Sequence, residues 1–415
     1  MKFISPRGTK DILPQDLIKW DNVERICRSL FKLYGFEEIR TPLFEETNLF
    51  IRSLGNTTDI VQKQMLNLQA EKPSLSLRPE ATASVVRSYI EHDLFKTQGF
   101  AKLFYIAPMF RGERPQKGRL RQFHHIGVEA IGVNSAFLDA EIISLAYEIL
   151  RRLGIENFQL KINSLGCKQD KESLAKNLKE LLKKKISLLC QNCRLRFNKN
   201  IFRILDCKVK SCQEIVGNID FKNDYLCTDC LQYSNEVKSA LNKLNIPFKV
   251  MPHLVRGLDY YTHTVFEISH KDLGSQDAIG AGGRYNNLVK ELGGPDIGAV
   301  GFALGFERIL MVLKEQIPSV TSNDVFIATL GRLAFEQGFI ILDKLRKAGV
   351  AAQIDFDFSS LKSQLRLANR LKSKLVVMLG DEELKQNIAL LKDMATGNQE
   401  RIVLVNLVEE IKKRL

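Results

Sequence analysis

Residues 105–129 constrain this chain more than any other stretch. They read Tyr105-Ile-Ala-Pro-Met-Phe-Arg-Gly-Glu-Arg-Pro-Gln-Lys-Gly-Arg-Leu-Arg-Gln-Phe-His-His-Ile-Gly-Val-Glu129. Two apolar, strand-like arms flank a Pro/Gly turn, and Arg111, Arg114, Lys117, Arg119 and Arg121 crowd between them. An antiparallel hairpin brings such arms together with the turn at its tip. Five cations on the loop side repel one another, so the hairpin makes sense if a polyanion sits there.

Other strand-like segments fall at 101–110, 121–131, 247–250, 264–268 and 278–283, with helices expected at 136–153 and 299–315. Apolar positions at helical spacing (Leu17, Trp20, Val23, Ile26, Cys27, Leu30) predict an amphipathic helix over 14–34. Alternation from Leu75 predicts a strand, and a helix is expected over 80–90, just past Pro79. Strands that follow one another without regular βαβ alternation indicate an α+β domain on an antiparallel sheet. After Ser319 the texture changes. Segments 324–330, 350–355 and 375–380 alternate with helices in a compact α/β domain, which follows a linker near 316–323.

A length of 415 residues fits two or three domains, and 45% hydrophobic with 26% charged residues fits a soluble globular class. No apolar run approaches the roughly 18 residues needed to cross a bilayer. Met1-Lys-Phe-Ile-Ser-Pro-Arg-Gly8 carries no signal-peptide stretch, and a cytoplasmic location is expected. The net charge of +13 favours nucleic acid or nucleotide as partner ahead of membrane. Residues 167–250 hold 17 Lys/Arg against 9 Asp/Glu, a balance of +8, and read as an inserted domain; a merely solvated surface is the alternative.

Six of the eight cysteines lie between Cys190 and Cys230. Cys190-Gln-Asn-Cys193 and Cys227-Thr-Asp-Cys230 form two CxxC knuckles, with Cys207 and Cys212 between them. The two knuckles can supply a tetrahedral structural Zn²⁺ site with Zn–S of roughly 2.3 Å; free buried thiols are the alternative. No histidine lies near them in sequence, so a catalytic metal is not expected.

The hairpin, together with Arg256-Gly-Leu-Asp-Tyr-Tyr-Thr262 and Gly298-Ala-Val-Gly-Phe-Ala-Leu-Gly-Phe-Glu-Arg308, resembles the class II aminoacyl-tRNA synthetases, and specifically the histidyl-tRNA synthetase family. The resemblance runs from Arg7-Gly-Thr-Lys-Asp-Ile-Leu-Pro14 to Lys392-Asp-Met-Ala-Thr-Gly397. It implies a catalytic antiparallel-sheet domain from 1–166 and 251–318, an inserted domain at 167–250, and an anticodon-binding domain at 324–415. The implied activity is attachment of histidine to tRNA(His), with ATP and Mg²⁺, through a histidyl-adenylate. The implied assembly is a homodimer, with Arg40-Thr-Pro42 resembling the interface motif.

Residue roles follow from the same resemblance. Arg111 would hold the α-phosphate, Arg308 the γ-phosphate, and Glu113 the adenine amino group. A bidentate guanidinium suits phosphate in a way that lysine does not. Arg256 would sit near the amino-acid carboxylate and α-phosphate, where charge concentrates in the transition state. Glu80, Ala81 and Thr82 would bind the α-ammonium. Glu129 and Tyr261 would read the two ring nitrogens, with Tyr260 alongside. His125 stands where the family usually carries glutamine, and its charge is expected to depend on pH near neutrality. Ala281-Gly-Gly-Arg-Tyr285 resembles the second histidyl signature. Arg114 and Gln116 would meet the 5′ end of the tRNA, the inserted domain its acceptor arm, and Arg366, Arg370, Lys372 and Lys374 its backbone. One rival is a non-catalytic paralogue that regulates ATP phosphoribosyltransferase; such paralogues lack the C-terminal domain and degrade the Arg256 segment. A purely RNA-binding module is the other, and it would not need phosphate clamps.

Overall fold

The computed structural model describes residues 3–56, 58–69, 73–116, 118–207, 209–219, 225–274, 277–313, 324–357 and 359–415. Lys117 of the hairpin and the expected linker near 316–323 lie outside the described residues. The chain divides into two compact units, Met1–Gln316 and Ile317–Leu415.

The strands of the first unit are β1 (Glu37–Glu38), β2 (Phe44–Glu46), β3 (Leu66–Asn67), β4 (Leu75–Leu77), β5 (Ala101–Phe110), β6 (Gln122–Ile131), β7 (Phe158–Ser164), β8 (Lys249–Val250), β9 (Thr262–His270), β10 (Ala278–Arg284) and β11 (Ala299–Gly305). Eight of them form one sheet in the order β1-β5-β6-β11-β10-β9-β7-β8. Every interior pair is antiparallel; parallel pairing occurs only at the margins, β1 with β5 and β7 with β8. β2, β4 and β3 make a smaller antiparallel sheet. The hairpin read from the sequence is β5–β6, paired from Ala101↔Ile131 to Phe110↔Gln122.

Side chains alternate across a strand, and here the two faces have different tasks. On β6, Ile126, Val128 and Ala130 enter a core shared with helices Pro14–Leu33, Ala136–Arg152 and Thr228–Lys243. On β11, Val300, Phe302 and Leu304 do the same. Residues between them face the other way, where a second core gathers Tyr105, Met109, Tyr260, Tyr261 and Tyr285 with helices Thr47–Leu54 and Thr82–Glu91. The first helix buries Trp20, Val23, Cys27, Leu30 and Phe31. Its Trp20 stacks on Phe306 at 3.8 Å between centroids. Burying a large apolar side chain stabilises by about 1.5–3 kcal/mol, so this face anchors the sheet.

One expectation needs correction. The segment 299–315 is not a single helix: Ala299–Gly305 is strand β11, and only Phe306–Val312 is helical. Its Ala-Val-Gly-Phe-Ala-Leu-Gly sequence alternates small and large residues at the strand period of two, which suits a central strand that buries one face. The helix expected from Glu80 starts at Thr82, and Glu80 sits before it, accepting from the N–H groups of Thr82 (2.7 Å) and Ala83 (3.0 Å).

Among the described residues of 167–248 the regular elements are all helices. Helix Lys168–Lys183 buries Leu174, Leu178 and Leu182 at four-residue spacing. With Cys193, Ile204, Cys207, Cys212 and Tyr225 among others, these form a small core of their own. Helix Thr228–Lys243 instead sends Val237, Ala240 and Leu241 into the core of the large sheet.

The second unit holds β12 (Val325–Thr329), β13 (Ala352–Ile354), β14 (Leu375–Leu379), β15 (Ile388–Asp393) and β16 (Gln399–Val403), in the order β13-β12-β14-β15-β16. β12 is parallel to β13 and β14, and β15 and β16 add antiparallel strands. Helices Arg332–Lys347 and Leu407–Arg414 cover one apolar cluster, and Leu361–Arg370 covers another. Gln364 is fully buried, its amide bonded to both the N–H and the carbonyl of Thr329 (2.9 and 2.8 Å).

Candidate active site

A cleft of about 570 Å³ opens on the face of the large sheet that carries the second core. One end is built around a buried carboxylate. Glu129, 1% exposed on β6, accepts hydrogen bonds from Thr82 Oγ1 (2.7 Å), Tyr105 OH (3.3 Å) and Tyr285 OH. Burial pushes its carboxyl up to about 8, against the pull of the Tyr285 and Thr82 hydroxyls. Neighbouring Glu80 is raised as well, again by burial. Two glycines make room here. A Cβ on Gly301 would lie 2.0 Å from Glu129 Oε2, and one on Gly127 would lie 2.4 Å from the Tyr105 ring.

Tyr260 and Tyr261 pack beside the carboxylate with their rings tilted by 53° and centroids 4.6 Å apart, and Tyr260 meets Tyr285 edge-on at 5.5 Å. Arg256 enters from the loop before β9. Its Nη1 donates to Glu267 Oε2 at 2.7 Å, while its buried Nε has no partner among the described residues.

The other end is cationic. Arg111 follows directly on β5, donates from Nε to the Pro79 carbonyl (2.9 Å) and lies over the Phe123 ring at 5.3 Å. Arg308, in helix Phe306–Val312, donates to the carbonyls of Gly118 and Ala278. Arg119 pairs with Glu113 at 2.9 Å. Burial lowers the proton affinity of both Arg111 and Arg308, and the neighbouring guanidiniums lower it further. Such a site is relieved by a bound polyanion. Carboxylate, aromatic and guanidinium groups all line one cavity.

The wider sequence relationships agree with this arrangement. A family model described as "Histidyl-tRNA synthetase" matches residues 8–309, and one described as "Anticodon binding domain" matches 324–414. The "Histidine--tRNA ligase" of Halothermothrix orenii is 46% identical over 417 aligned residues, covering 100% of both chains. The protein of the same name from Pelotomaculum thermopropionicum is 44% identical over 99% of this chain and 97% of its own. The apo crystal structure of Staphylococcus aureus histidyl-tRNA synthetase superposes with a TM-score of 0.83 at 35% identity, over 99% of this chain and 100% of that one. The chain belongs to the histidyl-tRNA synthetase family.

For a histidyl-tRNA synthetase family member, the structure brings Arg111, Glu113, Arg256 and Arg308 into one cleft with Glu80, Thr82, Glu129, Tyr260, Tyr261 and His125. Ala81 is buried beside Glu80. Arg114 and Gln116 are exposed at the hairpin tip, where the Gln116 and Arg119 backbones bond to each other. Arg284 of the second signature does not face the cleft. It is fully buried, bound to Asp139 Oδ1 through Nε (2.8 Å) and Nη2 (2.6 Å), and so ties β10 to helix Ala136–Arg152.

His125 overturns an expectation. Burial, then Arg111 and Arg308, push its imidazole down to about 3. It is therefore neutral near pH 7, and no pH-dependent charge repels a substrate ammonium. Sequence reasoning missed Tyr105 and Tyr285 as donors to Glu129, Glu267 as the partner of Arg256, and Arg119 as the partner of Glu113. Only the register of β5, β6, β10 and β11 reveals the first two. Arg78 was missed as well: buried at 2%, it donates to the carbonyls of Thr41 (3.0 Å), Pro42 (3.3 Å) and Pro108 (3.0 Å), and so fixes the Arg40-Thr-Pro42 turn beside the end of β5.

The metal expectation is also corrected. Cys190, Cys193, Cys227 and Cys230 do not converge. Cys190 and Cys193 meet Cys207 and Cys212, whereas Cys227 and Cys230 meet Cys167 and Asp170. The cause is local. Helix Lys210–Gly217 carries Cys212 back to the first knuckle, while the second knuckle opens helix Thr228–Lys243 against the start of Lys168–Lys183.

Proposed function

We propose that this chain activates histidine with ATP and transfers the histidyl group to tRNA(His). The observation that carries this reading is the joining, in one cleft, of an arginine-rich end with a tyrosine-lined buried carboxylate, Arg256 among the lining residues. The amino-acid carboxylate oxygen would attack the α-phosphorus of ATP while pyrophosphate leaves with its electron pair. The terminal ribose hydroxyl of the tRNA would then attack the carbonyl carbon, releasing AMP.

Arg111 would hold the α-phosphate and Arg308 the γ-phosphate; Glu113 would accept from the adenine amino group. Arg256, with a buried Nε–H to spare, would bridge carboxylate and α-phosphate. Preorganised donors of this kind act strongly because they are aimed before charge develops. Glu129 would bind the imidazole together with Tyr261, and Glu80 with Thr82 would bind the α-ammonium. Among the described residues, no group of three or more His, Cys, Asp or Glu converges at the phosphate end. Mg²⁺ would thus come with the triphosphate, where it neutralises charge on the leaving pyrophosphate.

Arg114 and Gln116 are exposed and would meet the 5′ end of the tRNA. Residues 167–250 would form the inserted domain, against the acceptor arm, between catalytic segments 1–166 and 251–318. Residues 324–415 would form the anticodon-binding domain, and their Arg366, Arg370, Lys372 and Lys374 are exposed for backbone contacts. Leu43 and Phe44, next to Pro42, are 45% and 48% exposed, which suits a homodimer contact at this turn. No helix among the described residues is long and apolar enough to cross a membrane, and a cytoplasmic site of action fits the substrates. A C-terminal unit and an intact Arg256 segment disfavour the regulatory paralogue.

The test is histidine-dependent exchange of pyrophosphate into ATP without tRNA, with other amino acids as controls. Exchange with histidine alone supports the reading. No exchange with any amino acid, in a folded protein that binds ATP, would overturn it.

A further inference from the structure

We propose that Cys190, Cys193, Cys207 and Cys212 are the ligands of a structural zinc ion, and that this ion holds the segment 190–207 as a cap on the cleft. Their four sulfur atoms lie within 4.8 Å of one another, with Cys190 Sγ and Cys207 Sγ 3.9 Å apart. A tetrahedral ion with Zn–S near 2.3 Å requires sulfur separations of roughly 3.8 Å. All four cysteines are free of disulfides, and Cys193 and Cys212 are fully buried.

A backbone donor already points into the cluster. The Cys190 N–H donates to Cys212 Sγ at 3.2 Å. Hydrogen bonds of this kind orient metal ligands and stabilise their charge. Loading balances as four thiols plus Zn²⁺ giving a tetrathiolate of charge −2 and four released protons, amid a segment with eight more cations than anions. The surrounding core is small, which is where a metal adds most to stability.

The second cysteine group differs. Both Asp170 oxygens are already occupied by the N–H groups of Cys227 (3.0 Å) and Cys167 (3.2 Å), and Cys227 is exposed. That group is a junction between two helix starts.

The cap follows from what lies between the ligands. Arg196 and Arg203 both pair with Asp59 Oδ2, at 2.9 and 2.8 Å, and Asn200 donates to Asp259 Oδ1 at 2.9 Å. Asp259 belongs to the Arg256-Gly-Leu-Asp-Tyr-Tyr segment, and a Cβ on Gly257 would lie 2.8 Å from Arg203 Nη1. Cys190, Arg196, Arg203 and Cys207 all line the cleft. A metal that clamps Cys193 to Cys207 thus fixes both ends of the stretch that reaches the arginine segment.

The experiment uses the full chain, expressed with zinc and purified without chelator. Metal content by mass spectrometry should be one zinc per chain in these four thiols, and the cobalt-substituted protein should show the charge-transfer and d–d bands of a tetrahedral thiolate site. Cys207→Ser and Cys212→Ser should lose the metal, while Cys227→Ser keeps it. Protein that binds neither zinc nor cobalt in thiolate form would overturn the site, as would metal retained in Cys207→Ser and Cys212→Ser but lost in Cys227→Ser. If the serine variants misfold, alkylation of the parent before and after chelation decides: removing zinc should raise labelling of Cys190 and Cys207 while that of Cys227 stays the same, and unchanged labelling of Cys190 and Cys207 would overturn the site. Chelation should raise tryptic cleavage after Arg196 and Arg203 by about tenfold or more, as a locally released segment would. Unchanged cleavage would overturn the cap.

Discussion

At the scale of single residues, Arg256 and Glu129 carry the sharpest expectations. Arg256→Ala should slow adenylate formation by roughly 10²–10³-fold, about 3–4 kcal/mol, if it acts as a preorganised donor. Pre-steady-state measurement of adenylate burst rates checks this, and an unchanged burst would remove the assigned role. Glu129, raised to about 8 by burial, holds a proton in the folded state that an unfolded carboxyl near 4.3 has already released. Stability from this group is therefore lost as pH rises through that window. Glu129→Gln should abolish histidine activation yet gain thermal stability relative to the parent between about pH 5 and 8; a pH-independent difference in Tm would contradict the shift. His125→Gln should leave the pH profile of kcat/KM the same as the parent's across the same range, since the imidazole is neutral throughout; a shifted profile would contradict this. That Arg111, Glu113 and Arg308 would share a cleft was legible because each sits in a contiguous motif. Tyr105 and Tyr285 were not, because their hydroxyls reach Glu129 from strands that sequence order does not place side by side.

Among the elements, the β5–β6 hairpin was plain in the sequence because apolar arms and a Pro/Gly turn admit few other arrangements. β11 was harder to read. Its small-large alternation is short, and the Phe-Glu-Arg helix that follows at once invites a single helical reading. The glycines of β11 nonetheless decide the pocket. Gly301→Ala would bring a Cβ to 2.0 Å from Glu129 Oε2 and 2.4 Å from the Val128 carbonyl. A loss of about 1–3 kcal/mol in stability is expected from such overpacking. Denaturant titration should find it, together with an increase in KM for histidine larger than that for ATP. The cysteine knuckles show a different limit. Spacing announces which residues pair locally, but the partners of each knuckle depend on how helix Lys210–Gly217 turns back, and local spacing carries no signal for that.

For the molecule as a whole, the change of texture after residue 319 marked a second unit, and Ile317–Leu415 closes two apolar clusters of its own. Among the described residues, those that line the cleft all belong to Met1–Gln316. A chain ending at residue 316 should therefore keep histidine-dependent pyrophosphate exchange within a few-fold of the parent, while charging of tRNA(His) falls by about 100-fold or more as the anticodon contact is lost. Parallel exchange and charging assays on the truncated protein separate these outcomes. The interior of residues 167–250 was foreseen only as basic and cysteine-bearing. That one helix of this region would join the sheet's core depended on its meeting helix Ala136–Arg152, more than 80 residues before Val237 in sequence.

The two-sidedness of β6 has a further consequence. Ile126, Val128 and Ala130 are wall for the core, and His125 and Glu129 are wall for the cleft. Folding and chemistry are thus written in the same frame. A single inserted or deleted residue would thrust a carboxylate into oil and three aliphatic chains into the substrate's place. Selection for a stable protein therefore proofreads the active site, and selection for catalysis proofreads the core.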